Sequence, residues 1–533
     1  MKKSIGRSFR KHIALTATVA ISVAAFSGCN GAKNTSGSVG REGKATYPVT
    51  TETTLTYWCP LPVSLGDMVK DFGQTDIAKE LEKRTGIKVK YVHPISGQES
   101  EAFNLYIASG DMPDMMQTNW LSQTGGPQSF IDEGIIIELN EIMEKNLTHL
   151  PAYLKKNADL DSMIKTDGGK YYCFPAIVSD DLLMTTNGFM LRSDWLKKLN
   201  MEIPRTIDDW YAVLTAFKNE LNVESPLSLM ASQLSNFAGA YGVSNTFYMD
   251  DGKVKFGPVE DGYKQYLMTM KKWYDEGLLD KDFAVMDIKQ YNSNILSERS
   301  GATHGAGGGQ LGYFIKAFKD GGIDFDMQAA PYPVLKNGDP IEFGSKRSKY
   351  NSSASAAITS SCKDPVLAAW WLDYSYSDEG HMLNNFGVEG VDYEMIEGYP
   401  TYTDKITKNP DGLSIVQAMS MNIRANNSFP IIQDRRYIEQ YYELPQQVEA
   451  LEVWQNDFDL HAIPPVTYTS EESSEYAALK TEIDTFVETN TLNFILGKRS
   501  FDEWDKYTAE LEKMNYARVI EIIEAAIDRY TGR

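Results

Sequence analysis

The stretch "IAKELEKRTGIKVKYVHP" (residues 77–94) predicts a helix that leads directly into a strand. Asp76 can cap the start of the helix, and Gly86 can end it because glycine readily adopts the left-handed conformation found after a helix. In the strand that follows, Ile87, Val89 and Tyr91 lie on one face. The stretch therefore predicts one helix–strand unit of an α/β fold.

The neighbouring segments repeat this alternation. A strand is predicted at 53–57 and ends at Trp58, a second helix ends at Gly110, and a short buried strand ends before Trp120. Strands that alternate with helices indicate a mostly parallel sheet with helices on both faces. A chain of 533 residues is too long for one core, so we expect two such α/β domains.

A later segment predicts a capped helix at 206–221. Thr206 and Asp209 have the spacing of a capping box, and Trp210 begins an apolar helical face that continues to Phe217. We therefore expect Trp210 to lie in the core. The tryptophans at 273, 370 and 371 also lie in helical contexts and are expected in the core.

The N-terminus has the pattern of an exported protein. The apolar run 13–26 is uncharged and too short to span a bilayer comfortably, and it follows five basic residues. It ends in "FSGC", which resembles a bacterial lipobox with Cys29 as the acylated first residue. Residues 1–28 are thus predicted as a signal peptide and 29–47 as a flexible tether. A plain signal peptide with an incidental cysteine is the alternative.

The charge of the chain disfavours two classes of partner. The net charge is −21, and loss of the basic signal peptide makes the remainder still more acidic. Nucleic acid is a poor partner, because phosphate contacts need lysine and arginine. Anionic lipid is repelled, so membrane attachment would depend on acyl chains.

Cysteine and metal signals are weak. After Cys29 the chain has only Cys59, Cys173 and Cys362, which cannot all pair, so buried free thiols are expected. No metal-binding motif of histidines or acidic residues occurs, and no cofactor is predicted.

An ordered set of segments resembles the family-1 extracellular solute-binding proteins of ABC importers, in particular the large lipoproteins linked to oligosaccharide uptake. The segments, in chain order, are "LTYWCP" (55–60), "IAKELEKRTGIKVKYVHP" (77–94), "NLYIASGDMPDMMQTNW" (104–120), "GGKYYCFP" (168–175), "MLRSDWLKKLNMEIPRTIDDWYAVLTAFK" (190–218), "APYPVLKNG" (330–338) and "NNFGVEGVDYEM" (384–395).

The resemblance implies a two-lobed periplasmic-binding-protein-like fold of type II, α/β, with the ligand cleft between lobes that close about a hinge. Lobe 1 is predicted as 48–176 and 327–375, and lobe 2 as 177–326 and 376–533. It also implies a monomer that delivers an oligosaccharide to the permease subunits of an ABC transporter. Such proteins often carry an acidic calcium loop, but "FKNELNVESPLSLM" (217–230) lacks that cluster.

Sugars present apolar ring faces edged by hydroxyls, so a sugar site needs flat aromatic groups and polar side chains. The aromatic content of 11% suits such a surface. The predicted ligand-binding residues are Trp58, Trp120, Tyr172, Phe174, Asp181, Arg192, Trp195, Tyr241, His304 and Glu389.

Each of these residues also has a structural alternative. The tryptophans and the Tyr172–Phe174 segment could fill the lobe cores, and Arg192 could form an ion pair with Asp194. His304 lies in the glycine-rich stretch "SGATHGAGGGQLGYF" (300–314), where glycines could allow close approach to a ligand. Nucleotide binding there is disfavoured because no acidic residue and flanking strand frame the glycines.

Three other functions remain open. A surface polysaccharide-degrading enzyme would need paired carboxyls about 5 Å apart, which adjacent acidic residues do not provide. A helical-repeat lipoprotein that docks glycans conflicts with the strand signals at 87–92, 112–118 and 327–334. The same fold could also bind a peptide or another polar solute. The leading interpretation is a lipid-anchored, non-catalytic oligosaccharide receptor on the extracellular face of a Gram-positive cell.

Overall fold

The structure, a computed structural model, describes residues 41–533 apart from the positions 67, 186, 321, 323, 324, 346, 347 and 458. The predicted signal peptide, Cys29 and the first part of the tether lie outside the described residues. Residues 41–533 form a compact unit of their own.

The strands of the described chain are β1 (Thr54–Trp58), β2 (Lys88–Val92), β3 (Met115–Thr118), β4 (Phe174–Val178), β5 (Asn187–Arg192), β6 (Phe247–Asp250), β7 (Lys253–Phe256), β8 (Ala302–Ala306), β9 (Met327–Ala330), β10 (Tyr350–Ile358), β11 (Tyr393–Ile396), β12 (Tyr399–Tyr402) and β13 (Ile432–Gln433).

The helices are α1 (Asp76–Thr85), α2 (Glu99–Ser109), α3 (Gly126–Asp132), α4 (Asn140–Asn146), α5 (His149–Leu154), α6 (Ala158–Met163), α7 (Asp181–Met184), α8 (Ser193–Leu199), α9 (Ile207–Leu221), α10 (Asp261–Asp275), α11 (Ile288–Leu296), α12 (Gly312–Asp320), α13 (Pro365–Tyr374), α14 (Asp378–Phe386), α15 (Asp404–Thr407), α16 (Ile415–Asn422), α17 (Arg435–Tyr441), α18 (Pro445–Trp454), α19 (Ser470–Ile495), α20 (Trp504–Lys513) and α21 (Tyr516–Thr531).

Lobe 1 is built on a six-stranded sheet with the order β13-β4-β10-β3-β1-β2. Strand β1 pairs in parallel with β2 and β3, and β4 pairs in parallel with β13. Strand β10 runs antiparallel to both β3 and β4. The reason is connectivity: β4 leads out of lobe 1, whereas β10 carries the returning chain back into it.

Lobe 2 contains a three-stranded sheet with the order β8-β5-β9, in which both pairs are antiparallel. Strand β5 brings the chain into the lobe and β9 leads it out, so the two strands run in opposite directions. The predicted α/β, two-lobed fold is therefore confirmed, but the expectation of mostly parallel sheets is wrong for lobe 2.

Each lobe has its own apolar core. Leu55 and Tyr57 of β1 pack in lobe 1 with the buried Trp371 of α13. Trp210 and Trp273 lie in the core of lobe 2, as the helical pattern predicts. The apolar faces of α9 and α10, whose residues recur with the period of a helix, therefore pack against the core of lobe 2.

The predicted ends of helices α1 and α9 are confirmed, except for the N-cap of α1. Thr75, and not Asp76, is the N-cap of α1, because its side-chain oxygen accepts a hydrogen bond from the Ala78 amide at 3.3 Å. Gly86 ends the helix with a φ of 71°. Thr206 and Asp209 form the predicted capping box of α9.

The sheets and cores divide the chain differently from the predicted lobe boundaries at two places. Met327–Ala330 pairs with β5 in lobe 2, whereas the prediction assigned it to lobe 1. The segment from 376 to 442 contributes Phe386, Phe429 and Ile432 to the core of lobe 1. Apolar periodicity shows that such residues are buried but does not show in which core they lie.

The chain passes between the lobes three times: between β4 and β5, between β9 and β10, and between α17 and α18. Beside them, the segment after α18 pairs with the second crossover: the Ser345 amide donates to Asp457 O at 2.9 Å, and the Asp459 amide donates to Ser345 O at 3.1 Å. We call these paired segments the hinge segments, or the hinge for short.

The cysteines of the described chain are unpaired. Cys59 and Cys173 are buried free thiols, and Cys362 is a half-buried one. Within the part of the chain that the structure describes, none of the helices combines the length and apolar character needed to cross a bilayer.

Candidate functional site

The candidate site is the cleft between the lobes, where three cavities adjoin. We call them the lobe 1 cavity, of about 440 Å³, the lobe 2 cavity, of about 430 Å³, and the hinge cavity, of about 600 Å³. Met184 lines both the first and the second, while Ser244 and Asp459 line both the second and the third. The cavities therefore form one continuous cleft.

The lobe 1 cavity is lined mainly by neutral polar groups over a buried aromatic layer. Asn351, Asn426, Asn427 and Gln433 supply amide groups. Tyr350 lies beneath them, almost fully buried. Amides and aromatic rings are the groups that a polar ring-shaped ligand requires.

Two amides of this wall are only partly used by the protein. Asn426 Nδ2 donates to Ser420 Oγ at 2.8 Å, and Asn427 Oδ1 accepts from the same hydroxyl at 3.3 Å. The other end of each amide, Asn426 Oδ1 and Asn427 Nδ2, is buried without a hydrogen-bond partner among the described residues. Buried polar groups are normally satisfied, so these two atoms are exceptions at the wall of the cavity.

The lobe 2 cavity is built around His304 in the middle of β8. His304 Nε2 lies 3.0 Å from Tyr332 Oη, and that oxygen lies 3.3 Å from Ser345 Oγ. The Ser345 hydroxyl donates to Asn187 O at 3.1 Å. This chain of polar groups joins the end of β5 to the second crossover and places all four residues on the cavity wall.

Burial controls the electrostatics of this wall. It lowers the pKa of His304 to about 4, so the imidazole is neutral at physiological pH. It also raises the pKa of Asp457, in the hinge, to about 6, although the Tyr332 amide donates to that carboxylate at 2.8 Å. Apart from Asp459, the side chains that line the lobe 2 cavity carry no charge, which suits an uncharged polar ligand.

The hinge cavity combines a loop of lobe 1 with the hinge and helix α19. Asn119 and Gln123 come from the loop after β3. Phe343 and His461 approach it from the two paired hinge segments, with ring centroids 4.2 Å apart and nearly parallel planes. His461 lines the cavity itself.

Four predicted aromatic residues are covered by protein. Trp120 is fully buried against Phe103 and Phe130, and its Nε1 donates to Ser355 O at 3.2 Å. The remaining three, Trp58, Tyr172 and Phe174, are likewise buried in lobe 1. Among them, Tyr172 contacts the lobe 1 cavity indirectly, since its hydroxyl lies 3.1 Å from that of Tyr350, which lines the cavity.

The structure takes Arg192 and Trp195 away from the cleft. Arg192 lies at the far end of β5 from Asn187, and its side chain is buried. It pairs with Asp194 at 2.6 Å and Glu298 at 3.3 Å and stacks on the Trp195 ring at 4.2 Å. The ion pair with Asp194 is the structural alternative that the sequence allowed.

The last three predicted residues lie at different sites. Tyr241 donates to Thr269 Oγ1 at 2.6 Å on lobe 2. Asp181 is exposed in the first turn of α7, and Glu389 is exposed just before β11 in lobe 1. Of the ten predicted side chains, the three cleft cavities thus bring only His304 to their surface.

The glycine run near His304 has a packing role in this structure. A Cβ on Gly308 would lie 2.6 Å from Tyr441 Oη, and one on Gly307 would lie 3.2 Å from Tyr442 Oη. Gln447 Nε2 donates to Gly307 O at 2.9 Å. The glycines therefore let the third crossover approach the backbone of lobe 2.

No group of three or more histidine, cysteine, aspartate or glutamate side chains in the described part of the chain is arranged to hold a metal ion. In the segment considered for calcium, the Glu224 carboxylate pairs with Arg299 at 2.9 Å.

Comparison with known families defines the class. The family described as bacterial extracellular solute-binding protein matches residues 71–382, more than half of the chain. The protein belongs to this family, whose members are binding proteins.

Three known relatives align with this chain over longer regions than the family match. The chain is 23% identical over 558 residues to the fructooligosaccharide ABC transporter substrate-binding protein FusA of Streptococcus pneumoniae, covering 97% of each chain. It is 26% identical to lipoprotein LipO of Bacillus subtilis, covering 62% of this chain and 66% of that protein. It is 22% identical to the polygalacturonan/rhamnogalacturonan-binding protein YtcQ of Bacillus subtilis, covering 84% and 87%.

Solved structures share the fold. Alginate-binding protein AlgQ2 superposes with a TM-score of 0.76 at 24% identity, covering 91% of this chain and all of that one. FusA of S. pneumoniae in complex with kestose gives 0.72 at 21% identity, covering 90% and 100%. These similarities support the two-lobed, type II binding-protein fold.

Proposed function

We propose that this protein captures an oligosaccharide in the interlobe cleft and delivers it to an ABC transporter permease. The observation that carries the proposal is the continuous cleft whose walls offer amides, hydroxyls and a neutral imidazole over buried aromatic rings. Such walls match sugar rings edged by hydroxyls. The names of the relatives FusA and YtcQ, which bind carbohydrate, support the same ligand class.

Within this site we assign direct ligand contact to His304, Asn426, Asn427 and the polar side chains beside them. The buried rings of Trp58, Trp120, Tyr172 and Phe174 would form the layer that fixes those side chains. Direct contact by Tyr241, Asp181, Arg192, Trp195 or Glu389 stays a prediction.

We further propose that the protein acts as a monomer without catalysis and is held on the extracellular face of the cell membrane by lipid on Cys29, including a palmitoyl chain. Removal of a signal peptide at 1–28 would expose that cysteine. The similarity to lipoprotein LipO supports this arrangement. Multiple acyl chains would hold the protein firmly, whereas one chain gives only marginal binding.

The test is calorimetry of residues 41–533, a compact unit, against fructan, alginate, galacturonan and human-milk-type oligosaccharides, with release of reducing ends followed in parallel. Saturable binding without new reducing ends is expected. Product formation would overturn the receptor in favour of the polysaccharide-degrading enzyme. Binding of a peptide panel alone would replace the ligand class but leave the fold unaffected.

The anchor has its own test. Cys29→Ser is expected to release the protein from membranes into the culture medium, since the acyl chains would have no attachment point. Mass spectrometry of the mature N-terminus of the unmodified protein measures the acyl chains on Cys29 directly. Retention of the variant on membranes would contradict lipid anchoring at Cys29.

A further inference from the structure

Helix α19 lines a groove with one continuous face. The residues of this face recur every three or four positions and so lie in one stripe, about 27 Å long at 1.5 Å per residue. They are Ser473, Ala477, Lys480, Asp484, Glu488 and Thr491. The first four line the hinge cavity, and the last four line a further cavity.

This further cavity, the α19 cavity, has a volume of about 500 Å³ and lies between α19, α10 and the 3-10 segment Ala231–Tyr241. Tyr263 and Tyr266 are buried at its floor. The Tyr263 hydroxyl lies 2.8 Å from Thr491 Oγ1. The floor is thus aromatic, and the rim carries hydroxyl, amide and carboxylate groups.

The α19 cavity is a branch of the cleft and not a separate pocket. It shares Thr246, Lys480 and Asp484 with the hinge cavity. It also shares Ser235 and Asn245 with the lobe 2 cavity. The groove therefore begins beside the cleft, where the end of a chain bound in the cleft would emerge.

The chemistry of the groove resembles that of the cleft. Lys480 and Asp484 form an ion pair at the junction, so one donor and one acceptor face the passage with little net charge. Beside the hinge cavity, Tyr468 and Tyr476 stack with centroids 4.3 Å apart. Aromatic faces alternating with balanced polar groups suit a chain of uncharged, hydroxyl-rich rings.

We propose that the α19 groove binds the protruding end of a linear glycan that is longer than the interlobe cleft. This inference rests on the proposed function and specifies its ligand: a chain of several sugar units, gripped in the cleft at one end and along α19 at the other.

The test is a chain-length series. Affinities are measured by calorimetry for short to long members of an inulin-type series that starts at kestose, and for matching ladders of other neutral linear glycans. Glu488→Trp fills the groove from an exposed position, whereas Glu482→Trp makes the same change at an exposed position of α19 outside both cavities.

In the series that binds, the long members are expected to bind the unmodified protein about tenfold more tightly than the short ones, a difference of about 1.4 kcal/mol. Glu488→Trp should abolish that gain and leave the short members unchanged, while Glu482→Trp should alter neither.

Two results would overturn the groove assignment while leaving the proposed function intact: affinity independent of chain length, or equal weakening of short and long members by Glu488→Trp. Absence of binding by every ladder would instead overturn the proposed function, and the groove assignment with it.

Discussion

At the scale of single residues, burial decides what each side chain can do. His304 is 8% exposed, and burial lowers its pKa to about 4, below the ordinary value of about 6.5. The unfolded chain therefore binds more protons than the folded one between these values. The stability that the neutral imidazole contributes is present above about pH 6.5 and is lost as the pH falls towards 4.

His304→Gln should therefore reduce the loss of stability between pH 6.5 and 4. Urea midpoints for the unmodified protein and the variant across this range provide the measurement. Parallel pH profiles for the two proteins would show that His304 is not the group responsible.

Asp457 gives the opposite dependence. Its pKa is raised by burial to about 6, so the folded state holds the proton more tightly than the unfolded chain. Its contribution to stability is full below about pH 3.9 and is lost as the pH rises through 6. Asp457→Asn, which can still accept from the Tyr332 amide, should gain stability relative to the unmodified protein as the pH rises from about 4 to 6. A difference in urea midpoint between the variant and the unmodified protein that does not change with pH would refute this.

The sequence pattern around Trp120 does not determine which way its side chain points. A tryptophan after a strand can face either the cleft or the core, and only the packing against Phe103 and Phe130 settles it. Trp120→Ala should cost about 3–5 kcal/mol of folding free energy, the range for large aromatic truncations in a core. Thermal unfolding measures this, and a loss below about 1 kcal/mol would contradict the burial.

At the scale of elements, local signals predict helices and strands well. The end of α1 at Gly86, the capping box of α9 and the alternation in β2 follow from spacing alone, whereas the N-cap of α1 lies one residue before the predicted Asp76. The residues that pack against the glycine run cannot be predicted in this way, because Tyr441 and Tyr442 lie more than a hundred residues further along the chain. The α19 groove is equally hidden, since no motif marks the chain beyond about residue 400.

The docking of α18 on β5 depends on one glycine. A Cβ on Gly188 would lie 2.2 Å from Trp454 Nε1, which donates to Phe189 O at 3.3 Å. Gly188→Ala should therefore push α18 away and destabilise the protein by about 1–3 kcal/mol, as overpacking usually does. Gly390→Ala is the control for a glycine with open space around it, although its φ of 77° adds local strain. Equal effects of both variants on urea midpoints would show that contact with Trp454 is not the cause.

At the scale of the whole molecule, the end of α21 ties lobe 2 to lobe 1. Arg529 and Arg533 both pair with Asp167, and Arg533 Nη1 also donates to Ser162 O at 2.9 Å. The side chain of Arg533 is only 4% exposed, so loss of its carboxylate partner leaves a buried charge.

Asp167→Asn should therefore cost about 3 kcal/mol. Glu475→Gln, which breaks an exposed pair with Arg518, should cost less than about 1 kcal/mol. Chemical unfolding of the two variants makes the comparison, and similar losses would contradict a structural tie between the lobes.

A glycan held between the two lobes would contact both walls of the cleft at the same time. Hydrogen exchange of residues 41–533 with and without the best-binding oligosaccharide tests it most directly. Binding between the lobes should add protection on both walls at once, at residues 425–429 of lobe 1 and at 304–310 and 332–345 of the facing wall and hinge. Protection confined to one lobe, or at surfaces outside the cleft, would contradict it.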